Sequence, residues 1–159
     1  MIHCKPKSIF SWDFILDGEG HHASLDFEWF GEQGAITADG THFKVRKHGM
    51  FSGHWTLDHE GQEIASAQKQ SVFTRTFDIQ SSSGSLVLRA ESPFGNSFRV
   101  ERSGELLATI SRVHLLTRRT IIETIAQKWD FPTISFSFWL VALTWRRSAE
   151  SSEGGGGGG

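Results

Sequence analysis

The chain has 159 residues, 38% hydrophobic and 21% charged, with a formal net charge of -2. That length supports one domain with a real core and excludes two comfortable ones, and the composition excludes a disordered chain or one that spans a membrane throughout. The near-neutral balance excludes the basic field of a dedicated nucleic-acid binder, so no nucleic-acid partner is expected.

The single cysteine, Cys4, cannot form an intramolecular bridge and points to a reducing, cytoplasmic compartment. Ser11, Asp13 and Asp17 interrupt the segment after the charged first residues, so no secretory signal is read. Cys4 beside His3 is expected to be a free thiol in a mobile terminus, neither nucleophile nor metal ligand.

From residue 8 to residue 125 the dominant period is two. Leu25, Phe27 and Trp29 alternate with Asp26 and Glu28, Phe43 and Val45 with Lys44 and Arg46, Trp55 and Leu57 with Thr56 and Asp58, and Phe98 and Val100 with Arg99 and Glu101. Such runs are half-buried antiparallel strands, and Leu25, Phe27, Trp29, Trp55, Leu57, Phe98 and Val100 are expected to point inward. Turn dipeptides punctuate them: Asp17-Gly18, Asp39-Gly40, His48-Gly49, Glu60-Gly61, Ser83-Gly84, Phe94-Gly95 and Ser103-Gly104. The spacing predicts about eleven or twelve strands. The stretch His54 to Ala65 matches Ser97 to Ala108 at an offset of 43 residues, one strand-turn-strand design used twice.

After Asp130 the character changes. Residues 131–145 carry no charge and end at Arg146-Arg147, with Asp130 placed as an N-cap and Pro132 tolerable in a first turn. A helix over 131–147 is expected, apolar on every side, although Ile134, Phe136 and Phe138 also alternate with Ser135 and Ser137 as a strand would. Its fifteen uncharged residues would span about 22 Å, shorter than a bilayer core requires, so a tail anchor stays open but under-length. A barrel of about twelve strands has a lumen too wide for its own side chains to fill, and this helix, with Phe138 facing inward, is the predicted occupant. The prediction is all-β with one helix: a single domain over 1–147, a closed antiparallel barrel around a hydrophobic C-terminal helix, then a flexible Ser/Glu/Gly tail over 148–159.

The repeated hairpins Trp55 to Ala67 and Phe98 to Ile110, and the closing segment Ile121 to Arg147, resemble the tubby C-terminal-like superfamily, which includes the LURP-one-related proteins and the phospholipid scramblases. The resemblance implies a barrel of about twelve strands around a C-terminal helix, and a non-enzymatic module that meets membranes or their lipids.

Read from the residues alone, the site chemistry is sparse. The eight histidines do not converge by alternation, and the pairs Asp13 with Asp17 and Asp26 with Glu28 have outward phase. Neither a Gly-x-Ser-x-Gly elbow nor a phosphate-loop glycine pattern is present. No catalytic residue, metal site or cofactor is expected. Basic residues cluster more meaningfully: Lys44, Arg46, Arg99, Arg102, Arg112, Arg118 and Arg119 are the candidates for anionic head-group binding, because Arg suits bidentate contact with phosphate. The partner expected is an anionic phospholipid or membrane surface, reached from the cytoplasm as a peripheral protein. The alternative is a scaffold whose partner is another protein and whose arginines serve solubility.

Overall fold

The structure, a computed structural model, describes residues 1–114, 116–125 and 129–154. Twelve strands follow one another: β1 (Ile2–Pro6), β2 (Phe14–Gly18), β3 (His21–Phe27), β4 (Gly34–Ala38), β5 (Thr41–Lys47), β6 (His54–His59), β7 (Gln62–Lys69), β8 (Thr76–Ser81), β9 (Gly84–Ala90), β10 (Ser97–Arg102), β11 (Glu105–Arg112) and β12 (Thr120–Thr124). A helix, α1 (Phe131–Gly154), ends the described chain. Each strand pairs antiparallel with its sequence neighbours, and β1 pairs with β12 to close the barrel.

Alternation sets the register, because one face of each strand fills the lumen. Ala23 and Leu25 of β3 are buried while Ser24 and Asp26 are only partly so, and Phe98 and Val100 of β10 are buried between partly exposed neighbours. Trp29 departs from its expected inward place. The Leu25-Phe27 rhythm stops because the Glu28 N–H donates to the Gln33 carbonyl at 2.9 Å, closing a loop that carries Trp29 into solvent. The N-terminus also differs from the mobile segment expected: residues 2–6 form β1, and Cys4 is fully buried in the lumen wall, where desolvation raises its pKa well above the usual thiol value.

The strands define two unlike rims. One carries two-residue turns, among them Glu19-Gly20, Asp39-Gly40, Glu60-Gly61 and Ser103-Gly104, with positive φ at both residues, the geometry that matches strand twist. The turn expected at Asp17-Gly18 thus falls two residues later, and His48-Gly49 and Phe94-Gly95 belong to longer loops on the other rim. The offset of 43 residues extends to irregularities: β6–β7 slips register between Leu57 and Asp58, and β10–β11 slips between Val100 and Glu101, so Ile64 and Leu107 are the extra residues of equivalent bulges.

The helix begins at the tight-turn rim. Asp130 caps it, its Oδ1 accepting from the Thr133 N–H at 2.8 Å, while Ser83 donates to the other carboxylate oxygen. Residues from Phe131 to Trp145 are buried apart from Pro132 and Thr144, so the helix apolar on every side is a lumen occupant. No helix among the described residues is long and apolar enough to cross a membrane. It runs past Arg147 to Gly154, where a tail had been expected; Ser148 and Ser151 donate back to the Thr144 and Arg147 carbonyls. The glycines 155–159, expected to be flexible, lie outside the described residues.

Candidate functional site

In an up-and-down barrel every odd-to-even connection falls on the same rim. Here those connections are the six long loops, and five share one closure: Lys7 donates to Asp13, His48 to His54, Gln70 to Thr76, Glu91 to Ser97 and Val113 to Arg119, backbone N–H to carbonyl, at 2.8 to 3.0 Å. The sixth, Glu28 to Gln33, is one residue shorter. Similar closures place similar residues at the tips. The tips are Ile9-Phe10, Trp29-Phe30, Met50-Phe51, Val72-Phe73, Pro93-Phe94 and, on the last loop, Leu116, with the second positions 20 to 22 residues apart.

These side chains are bare. Phe10 is 90% exposed, Phe51 93%, Phe73 94% and Phe94 96%. Of thirteen large apolar side chains exposed among the described residues, eleven belong to these six loops, so the barrel has one apolar rim and one polar rim. Scattered exposed apolar residues need no explanation, whereas their confinement to one end of the barrel is unusual for a surface facing water alone.

The helix emerges at the centre of this rim. Arg146 donates to the Gly31 and Trp29 carbonyls at 3.2 and 3.4 Å, and Arg147 grips Glu32 through Nε and a terminal nitrogen, both at 2.6 Å, while Lys47 reaches the same carboxylate at 2.8 Å. Burial works to raise the Glu32 pKa, but the hydrogen bonds and charges of Arg147 and Lys47 outweigh it and hold the carboxyl below its ordinary range.

On the other side of the helix lies an open cleft of about 530 Å³, bounded by Trp12, Arg75, the Pro93–Asn96 loop, Arg112, Leu116, Arg118 and the helix residues Trp145, Ser148 and Ser152. Three guanidinium groups converge on it, and among the described residues no carboxylate lines it. Each is backed by a ring: Arg75 lies 5.1 Å from the centre of Phe98, Arg112 4.4 Å from Trp145, and Arg118 4.7 Å from Trp12. Arg75 donates to the Pro93 and Gly95 carbonyls at 3.2 and 3.0 Å, and Arg118 to those of Ser8 and Ile9 at 3.2 and 2.6 Å. The Nε–H groups of Arg75 and Arg112 are buried with no partner among the described residues. Burial pushes all three pKa values below the usual guanidinium value, and for Arg112 the charges of Arg118 and Arg75 push further.

The sequence-derived candidates divide accordingly. Arg112 and Arg118 line the cleft, and Arg119 is exposed at the foot of the same loop. Lys44 and Arg46 stand on the outer wall, where Lys44 pairs in register with Asp58 and Arg46 bonds the Asp58 carboxylate at 3.3 Å. Arg99 bonds Glu101 at 3.0 Å on the wall, and Arg102 ends β10 beside the opposite rim. Sequence reasoning missed Arg75 and the apolar tips; the recurring apolar-Phe pair every 20 to 22 residues was the available signal. Among the described residues no three His, Cys, Asp or Glu side chains converge on a point that could hold a metal ion. No protein-family model, curated protein or solved structure matches this chain.

Proposed function

We propose that this chain is a non-enzymatic, tubby-like module that docks on an anionic membrane surface through its long-loop rim. The observation that carries the reading is the confinement of eleven exposed apolar side chains to six loops at one end of a closed barrel, interleaved with cationic side chains just below the tips. Aromatic and aliphatic tips gain free energy by entering the interfacial layer, while Arg75, Arg112, Arg118 and Arg119 sit at the depth where phosphates lie. The rigid barrel and its helix hold the tips in place, so little ordering entropy opposes docking.

Co-sedimentation with vesicles tests this. The chain is expected to pellet with phosphatidylserine-containing vesicles and less with phosphatidylcholine alone, and to release as salt rises, because screening shortens to about 8 Å at physiological ionic strength. Phe51→Ser with Phe73→Ser, and separately Arg118→Glu with Arg119→Glu, should each weaken binding. No pelleting with any anionic vesicle at low salt would overturn the reading and leave the rim as a surface for a protein partner.

A further inference from the structure

We infer that the cleft between Trp12, Arg75, Arg112 and Arg118 is a binding site for a phosphate monoester. Three features point to a ligand of that class. First, three cations face one cleft with no acidic partner among the described residues, an arrangement that costs desolvation and mutual repulsion unless an anion settles among them. Second, the guanidinium heads rest against the rings of Phe98, Trp145 and Trp12, and those of Arg75 and Arg118 are also held by loop carbonyls, so an incoming anion meets donors already in place. Third, the Nε–H groups of Arg75 and Arg112 are buried with no partner among the described residues, so neither head is fully satisfied within the fold, and an acceptor with several oxygens at the terminal nitrogens would offset that cost. A monoester presents three such oxygens and close to two charges at neutral pH, whereas a phosphodiester presents two oxygens and one charge. Wall cations such as Arg46 and Arg99 have carboxylates beside them and offer no comparable site.

The proposal deepens the membrane-docking reading and rests on it for the source of the ligand: the cleft opens among the apolar tips, so a monoester carried on a lipid arrives at it when the rim docks. The same chemistry is carried by soluble phosphate esters, and the test separates the two. Binding is measured to phosphatidylcholine vesicles holding either phosphatidate, a monoester, or phosphatidylglycerol, a diester, at matched surface potential. Thermal shift is measured in parallel with glycerol 3-phosphate and inorganic phosphate.

The expected result is binding about tenfold tighter to phosphatidate, the worth of one added charge-assisted hydrogen bond. Arg112→Gln should abolish that ratio. Arg75→Lys and Arg112→Lys keep the charge and lose the planar fork, so each should reduce it, with far-ultraviolet circular dichroism confirming the fold. Lys5→Gln, an exposed change on the outer wall, should leave the ratio intact. A thermal shift with glycerol 3-phosphate that Arg112→Gln removes, together with equal binding to both vesicles, supports the cleft and assigns it a soluble ester. Equal vesicle binding with no shift from either soluble phosphate overturns the cleft while leaving membrane docking standing. Absence of binding to any vesicle overturns the docking reading, and the soluble arm then decides the cleft alone.

Discussion

The indole of Trp139 occupies the space that a side chain on Gly34 would need: a Cβ there would stand 2.6 Å from Trp139 Cη2 and closer still to the Asp26 carbonyl oxygen. Trp139 also stacks on Phe27 with ring centres 3.7 Å apart, so the helix leans on β3 and β4 within the lumen. Gly34→Ala should therefore lower stability by about 2 kcal/mol through overpacking, although alanine suits a strand better than glycine. Urea titration checks this, and an unchanged midpoint would contradict it, since both the Trp139 indole and the paired β3 backbone would then have to yield without cost.

The lumen must be filled by the helix for the barrel to stand. Phe138 is fully buried and meets Phe14 edge-on at 5.0 Å. Phe138→Ala should cost about 3 to 5 kcal/mol, a large share of the total stability of a domain this size. Phe138→Asp should abolish soluble folding, because a buried unpaired carboxylate adds its desolvation to the lost packing. Circular dichroism of the soluble fraction reads both outcomes.

The barrel itself was legible in the sequence because each half-buried strand declares its lumen face every second residue and each tight turn needs a residue pair such as Asp39-Gly40 or Ser103-Gly104. The helix was legible through Asp130, whose carboxylate caps it, and through an uncharged apolar stretch over 131–145. Trp29 was not, since alternation continues through it in the sequence and only the backbone closure at Glu28 reveals a loop. Arg75 has no basic neighbour in sequence and joins Arg112 and Arg118 only through barrel closure and loop curvature. Lys44 and Arg46 looked alike to a local count of charge, yet strand pairing sets Asp58 against them. The 43-residue offset was visible, but it spans two of the six hairpin units, because uneven loop spacing blurs the shorter period.

Glu32 ties the helix end to the rim, and its titration gives the clasp a pH dependence. Its folded pKa is depressed, so the stabilisation is complete above its ordinary value of 4.5 and is lost as pH falls through the lower folded value. The contribution is about 1 kcal/mol after allowing for solvent screening of a partly exposed pair. Glu32→Gln should be less stable than the native chain at neutral pH, and the gap should narrow as both are acidified below 4.5. A gap that widens with acid would contradict this sign. Glu19 is also held low, chiefly by its hydrogen bond from the N-terminal ammonium, as is Asp39, where desolvation is outweighed by hydrogen bonds from His22 and His21. Both chains should therefore lose this further stability alike in acid, and the gap between them still reports Glu32.

The tips should act additively, since they sit on separate loops. Ile9→Ser, Phe51→Ser and Phe94→Ser should each weaken vesicle binding while leaving thermal stability within about 0.5 kcal/mol, as expected of surface positions. The pairing of unchanged stability with lost binding separates a docking surface from a structural one.

Docking by the rim is tested most directly at Trp29, which is 85% exposed at a loop tip while Trp12 and Trp129 are half-buried and Trp55, Trp139 and Trp145 are buried. Emission is recorded on mixing the chain with anionic vesicles whose acyl chains carry bromine near the head group, beside a Trp29→Phe control. Docking predicts a blue shift and bromine quenching in the native chain, with most of both missing from the control. Emission that is unchanged, with quenching equal in the two proteins, would contradict it.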